Sequence, residues 1–197
     1  MSKFKNRRQA LAWSFIAMAG LGASLALAGE GYQGSGAVGE KEIQREIKDE
    51  AARLSLAPHS IMLETELMTA LDQVRGLKAQ VKTAQSQPNP EFVEHYREHR
   101  REIGDSVKSA KSHESEIRSR AVRFPSVATS EQYKSLSPAL GELERLNQQW
   151  DKQATVRSYW NDPARVTSDL DQLERRLSTA IEKARSFNAR LDVSEIG

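Results

Sequence analysis

"PARVTSDLDQLERRLSTAIEKARSFNARL", residues 163 to 191, decides the fold class. Val166, Leu170, Leu173, Leu177, Ala180, Ala184, Phe187 and Leu191 follow one another at alternating steps of four and three. That period keeps one stripe of a helix apolar while charged residues cover the rest, which is the pattern of a coiled-coil seam. Asp162 and Pro163 mark its start: a carboxylate that can accept from free amides, then a proline where a missing N–H costs nothing. A seam this narrow needs a covering helix. Either the segment 138–160 or a second copy of the chain supplies it, and the short Asn161-Asp162-Pro163 turn favours the former at little loop-closure cost.

Working back along the chain, the same rhythm recurs. Leu140, Leu143, Leu146 or Asn147, Trp150 and Ala154 define a fourth segment that begins after Ser137-Pro138. A third, from about 90 to 123, carries Val93, Tyr96, Ile103, Val107, Ala110, Ile117, Ala121 and Phe124, with Arg100 and Glu114 interrupting the stripe. Glu114/Arg118 and Glu116/Arg120 have the i,i+4 order that supports an exposed helix. A second segment begins near Ser60 as cap and runs through Leu63, Leu67, Ala70, Leu71, Val74, Leu77, Val81 and Ala84 to Gln87-Pro88-Asn89-Pro90. A first, about 40 to 56, puts Ile43, Ile47, Ala51 and Leu54 on one face and stops at Ala57-Pro58. Short connections at 57–59, 87–90 and 161–163 make successive helices antiparallel neighbours. The expected architecture is all-α: an elongated antiparallel helical bundle of about five coiled-coil helices over 40–192. Gly76, Gly104 and Gly141 lie inside these helices, where they either allow close approach or weaken the helix.

The leading 28 residues are of another kind. Lys3, Lys5, Arg7 and Arg8 precede an uncharged, largely apolar run from 10 to 28 that closes on Ala26-Leu27-Ala28. These are the three regions of a secretory signal. The run is long enough to span a bilayer, but its glycines, alanines and serines make it a weak anchor. Cleavage after Ala28 is the expectation, and retention as a membrane anchor the alternative. Arg7-Arg8 ahead of Gln9-Ala10-Leu11 resembles a twin-arginine signal, with Ala10 and Asn6 departing from the usual residues. Five of the eleven glycines lie between 29 and 39, so that stretch reads as flexible coil. The protein is therefore expected to be exported, to the periplasm, with membrane contact only if residues 10–28 are retained.

Composition narrows the chemistry. Four of the 29 basic residues sit in the leader, leaving 25 against 27 acidic groups in residues 29–197. A balance near −2 gives no general affinity for nucleic acid. No cysteine is present, which removes disulfides and thiolate chemistry. His95 and His99 stand at i,i+4, a spacing that can share a metal, with Glu91, Glu98 and Glu102 as oxygen donors in reach. Arg97, Arg100 and Arg101 crowd the same segment and oppose a dication, so no tight metal site is expected there. Carboxylate pairs such as Glu64/Glu66 and Glu142/Glu144 point apart on a helix and offer no acid–base couple. Trp150 is in phase with the core, while Tyr159 and Trp160 are placed to plug the bundle's end or to stack on a ligand.

The function expected is non-catalytic, with no cofactor. The chain reads as an exported helical scaffold, adaptor or holdase-like binder of a protein partner, or of itself, through coiled-coil surfaces. Val166, Leu170, Leu173, Leu177 and Phe187 are the leading interaction seam. The alternative is an envelope sensor or binding domain for a metal ion or small ligand.

Overall fold

The structure, a computed structural model, describes residues 36–84 and 92–191. The leader 1–28, the turn at 87–90 and most of the glycine-rich stretch lie outside the described residues. Those described form α1 (Gly36–Ala84), α2 (Phe92–Ala121), a single turn α3 (Pro125–Ala128), α4 (Glu131–Ala154), a 3-10 turn (Arg157–Asn161) and α5 (Pro163–Arg190), with no strand among them. None of these helices is long and apolar enough to cross a membrane.

Cross-links between helices fix the topology. His59 meets His113 and Gln73 meets His99, so α1 and α2 run in opposite directions. Lys111 reaches Glu144, and Arg100 reaches Asp151, between α2 and α4. Arg176 bonds Glu142, and Arg165 bonds Gln153, between α5 and α4. Arg185 bonds Glu64 and Arg75 bonds Glu174, which returns α5 to α1. The result is an up-down-up-down bundle of four long helices, each antiparallel to both its neighbours. Lys78, bonded to Asp171 and Glu174, adds to the α1–α5 edge.

The core is the set of stripes read above. On α5, Val166, Leu170, Leu173, Leu177 and Phe187 are all fully buried inside this one chain, against α4 and α1. On α2, Ile103, Val107, Ala110, Ile117 and Ala121 face inward, and so does Glu114. Glu114 is held there by Arg118 at 2.8 Å and Lys111 at 3.1 Å. Burial pushes its carboxyl up, but those two hydrogen bonds outweigh it and hold the group below the usual carboxylate range.

Two expectations need correcting, and a third, open between two readings, is decided. The break at Ala57-Pro58 does not exist: α1 is one helix of 49 residues with Pro58 inside it. Pro58 lies on the exposed side, so the Leu54 carbonyl it leaves without an amide faces water. Interior proline costs about 3 kcal/mol. Breaking the helix would detach Ala52 and Leu56 from the core, and burying one leucine alone is worth about 1.5–3 kcal/mol. Ser60 is accordingly no cap but a fully buried, small residue in the inward stripe, its hydroxyl without a protein partner. The second correction is of the same kind. α4 starts at Glu131, capped by Ser130 accepting from the Tyr133 amide, and Pro138 sits inside it on the exposed side. Buried Leu136 and the Tyr133 ring, 6.1 Å from Phe187, hold the turn that precedes the proline.

The third concerns glycine. A Cβ added at Gly76, Gly104 or Gly141 meets nothing within 4 Å, so none of them serves a close helix approach. They only weaken the helices. Replacing Gly104 and Gly141 with alanine is expected to raise stability by about 1 kcal/mol each, read as a higher melting temperature. An unchanged or lower melting point for both would show that a neighbour does occupy that space.

Candidate interaction surface

The His99 ring is engaged with two glutamines of α1. His99 donates from Nδ1 to Gln73 Oε1 at 2.6 Å, while its Nε2 lies 3.0 Å from Gln80 Nε2, which donates to it. Both ring nitrogens thus join α2 to α1, and ligating a metal would require giving up one of these bonds. The side chain of His95 lies outside the described residues. Among those described, no three His, Cys, Asp or Glu side chains converge as a metal-binding group. Calorimetric titration with Zn²⁺ or Ni²⁺ is expected to give no micromolar site that depends on His99. Micromolar binding abolished by His99→Ala would overturn that.

The aromatic residues close the end of the bundle. Trp150 donates to the Tyr159 hydroxyl at 3.1 Å, and that hydroxyl donates to Asp169 at 2.9 Å. Trp160 donates to the Ala154 carbonyl and stacks on Tyr96, ring centroids 4.3 Å apart. Burial pushes the Tyr96 hydroxyl up to about 12, and burial with the Asp169 bond pushes that of Tyr159 up as well. The faces and polar tips that a stacked ligand would use are spent on neighbours. One carboxylate of each pair is bonded across to α5. Glu64 holds Arg185 and Asn188, and Glu142 holds Arg176.

A second histidine contact is expected to respond to pH. His59 Nδ1 lies 3.5 Å from His113 Nδ1, across the α1–α2 interface. Burial first, then Arg120 and His113, lower the His59 pKa, with Glu116 opposing. A histidine whose folded pKa lies below its unfolded value binds fewer protons when folded. Its contribution is complete above about pH 6.5 and is lost as pH falls through the folded value. The melting temperature is therefore expected to drop below pH 6.5, and His59→Gln to flatten that slope. An identical slope in the variant would remove the histidine pair as its cause.

What remains unspent is the outside of α1. Every described side chain from Gly39 to Ala51 is exposed, and the first buried residue is Ala52. Asp49 lies 3.5 Å from Ser126, and a shallow groove formed by Glu50, Arg53, Val127 and Leu191 marks the end of the bundle. α1 continues past that end for roughly 20 Å at 1.5 Å per residue. Ile43, Ile47 and Leu54, expected to pack inward, are instead 58%, 59% and 68% exposed. Among the described residues, six of the eight exposed large apolar side chains are on α1: these three with Ile61, Met62 and Met68.

The cause is geometric. On a continuous helix, residues two apart such as Leu54 and Leu56 point about 160° from each other. The stripe through Leu56, Leu63 and Leu67 takes the core, so the stripe through Ile47, Leu54 and Ile61 must face away. Dividing the helix at Pro58 hid this, because each half alone showed a single apolar face. The signal was in the sequence: two heptad patterns overlap on one uninterrupted helix. Comparison with protein-family models, curated proteins and solved structures finds no match. The fold and this surface define the class directly: an all-α, four-helix antiparallel bundle with a second apolar stripe on its longest helix.

Proposed function

We propose that this protein is an exported, non-catalytic helical adaptor that binds a protein partner by laying helix on helix. One observation carries the reading: α1 bears an apolar stripe, from Ile43 to Met68, that none of the described elements of its own bundle covers. Contiguous exposed apolar surface on an otherwise charged protein is the usual mark of a docking site, and helix-in-groove or helix-on-helix recognition reads such stripes through their spaced anchors. The leader 1–28 supports export to the periplasm. The interaction seam moves with this reading. Val166, Leu170, Leu173, Leu177 and Phe187 serve the bundle's own core, and Ile47, Leu54 and Ile61 take over as anchors.

The test pairs stability with capture. Ile47→Asp combined with Leu54→Asp changes exposed positions only, so in dilute solution helicity and melting should stay as in the parent. The set of proteins co-purifying from the native envelope should then lose members relative to the parent. An identical set from both would remove the α1 face as the docking surface.

A further inference from the structure

The outer stripe of α1 also specifies what covers it, a step that rests on the docking reading above. We infer that the occupant is a second copy of this chain, with the two α1 helices paired antiparallel about an axis between Ala52 and Arg53. The stripe alternates in size. Ile47, Leu54, Ile61 and Met68 form its bulky set, and Ala51, Pro58 and Thr65 its small set, at steps of four and three. An antiparallel pair sets one heptad position of each helix against the other position of its partner, so bulky meets small in every layer. A parallel pair sets each position against itself, which stacks large on large and leaves voids at Ala51 and Pro58. The stripe is thus the complement of its own reverse.

Charge selects the register. With the axis between residues 52 and 53, Ile47 lies on Pro58 and Leu54 on Ala51 of the second copy. Along the flanks, Lys48 meets Ser55, Glu50 meets Ala57, and the Lys41 stem covers Met62, which is 44% exposed. Sliding by one layer in one direction opposes Lys48 to Lys48 and Glu50 to Glu50. Sliding the other way opposes Glu50 to Glu64. Only the intermediate register avoids like charges at the seam. The face points away from α2, α4 and α5, so the two bundles lie on opposite sides of the pair. Each projecting N-terminal length of α1 then lies along the Leu54–Met68 stretch of the other copy. Six partly exposed large side chains per copy reach on the order of 1,000 Å² across both, the lower bound for a specific interface.

The absence of cysteine makes the test clean. Light scattering of the purified full chain should give twice the chain mass at tens of micromolar, about the range such an area supports. Ile47→Asp with Leu54→Asp should weaken that association by on the order of 100-fold at unchanged helicity. Chains carrying Ile47→Cys mixed with chains carrying Pro58→Cys should form a mixed disulfide faster than either forms one with itself. A single-chain mass at every concentration would overturn the second copy, while loss of captured proteins in the same aspartate variant would leave the docking reading standing. A dimer indifferent to the aspartates would place association elsewhere and also overturn it. Disulfides between two chains that both carry Ile47→Cys, formed faster than the mixed product, would overturn the antiparallel arrangement.

Discussion

Leu173→Asp is expected to cost several kcal/mol and to lower the melting temperature by roughly 10–20 °C. Leu173 is fully buried in the middle of α5. Its neighbours in the core are Leu170, Leu177 and the inward stripes of α4 and α1, none of which offers a cation. The carboxylate would be desolvated without a partner, whereas the adjacent Glu174 is exposed enough to reach Arg75 and Lys78. Leu173→Ala should cost less, about 2–5 kcal/mol, since it leaves only a cavity. Against a total of about 5–15 kcal/mol, the aspartate variant should be largely unfolded near physiological temperature. Circular dichroism with thermal melting checks it. Leu54→Asp is the control: it adds the same charge to an exposed site and, at protein concentrations too low for two chains to pair, should melt like the parent. If the two variants melted alike, α5 would not be the core element described above.

Removing the cations around Glu114 should be the next most damaging change. The Glu114 side chain is 4% exposed, and its oxygens are held by Lys111 and Arg118. Lys111→Met with Arg118→Met leaves that carboxylate buried and unpaired, at a cost of about 3–5 kcal/mol. Adding Glu114→Met should recover most of the loss, because a buried ion pair replaced by apolar side chains of similar volume is close to neutral. The pH dependence distinguishes the two states. The lowered carboxyl of the parent contributes stability above its ordinary pKa of about 4.5, and this is lost as pH falls through the folded value. The triple variant should lack that component. Full stability in the double variant would mean that water, rather than the two cations, satisfies Glu114.

The helices that were legible in the sequence are those with a single apolar stripe. α5 has one seam, an aspartate cap and a proline at its first position, so period and boundary agree. α2 likewise has one seam, and Glu114 stands in phase with it because its partners on the same helix neutralise it. Where a proline reads as a stop in the sequence, the structure continues the helix. Pro58 and Pro138 both sit on the solvent side of a helix whose opposite side is buried. Local propensity opposes continuation there, and tertiary packing on the far face outweighs it. A break at Pro58 would assign the two faces of α1 to two separate helices with one apolar face each, which is why the outward stripe is not legible from local pattern alone. His99 was visible as a histidine, but its ties to Gln73 and Gln80 depend on the pairing of α1 with α2, which no local pattern announces.

The outer face of α1 should be covered in the cell while the rest of the bundle surface stays open. Thiol reactivity measures this directly, because the chain has no cysteine of its own. Ile47→Cys and, on the exposed side of α5, Gln172→Cys would each be labelled with a maleimide, once in the native envelope and once as dilute purified protein. The thiol at position 47 should react several-fold more slowly in the envelope than in dilute solution, while that at 172 reacts at the same rate in both. Equal rates at position 47 in the two settings would contradict the claim that this helix face is where the protein meets its partner.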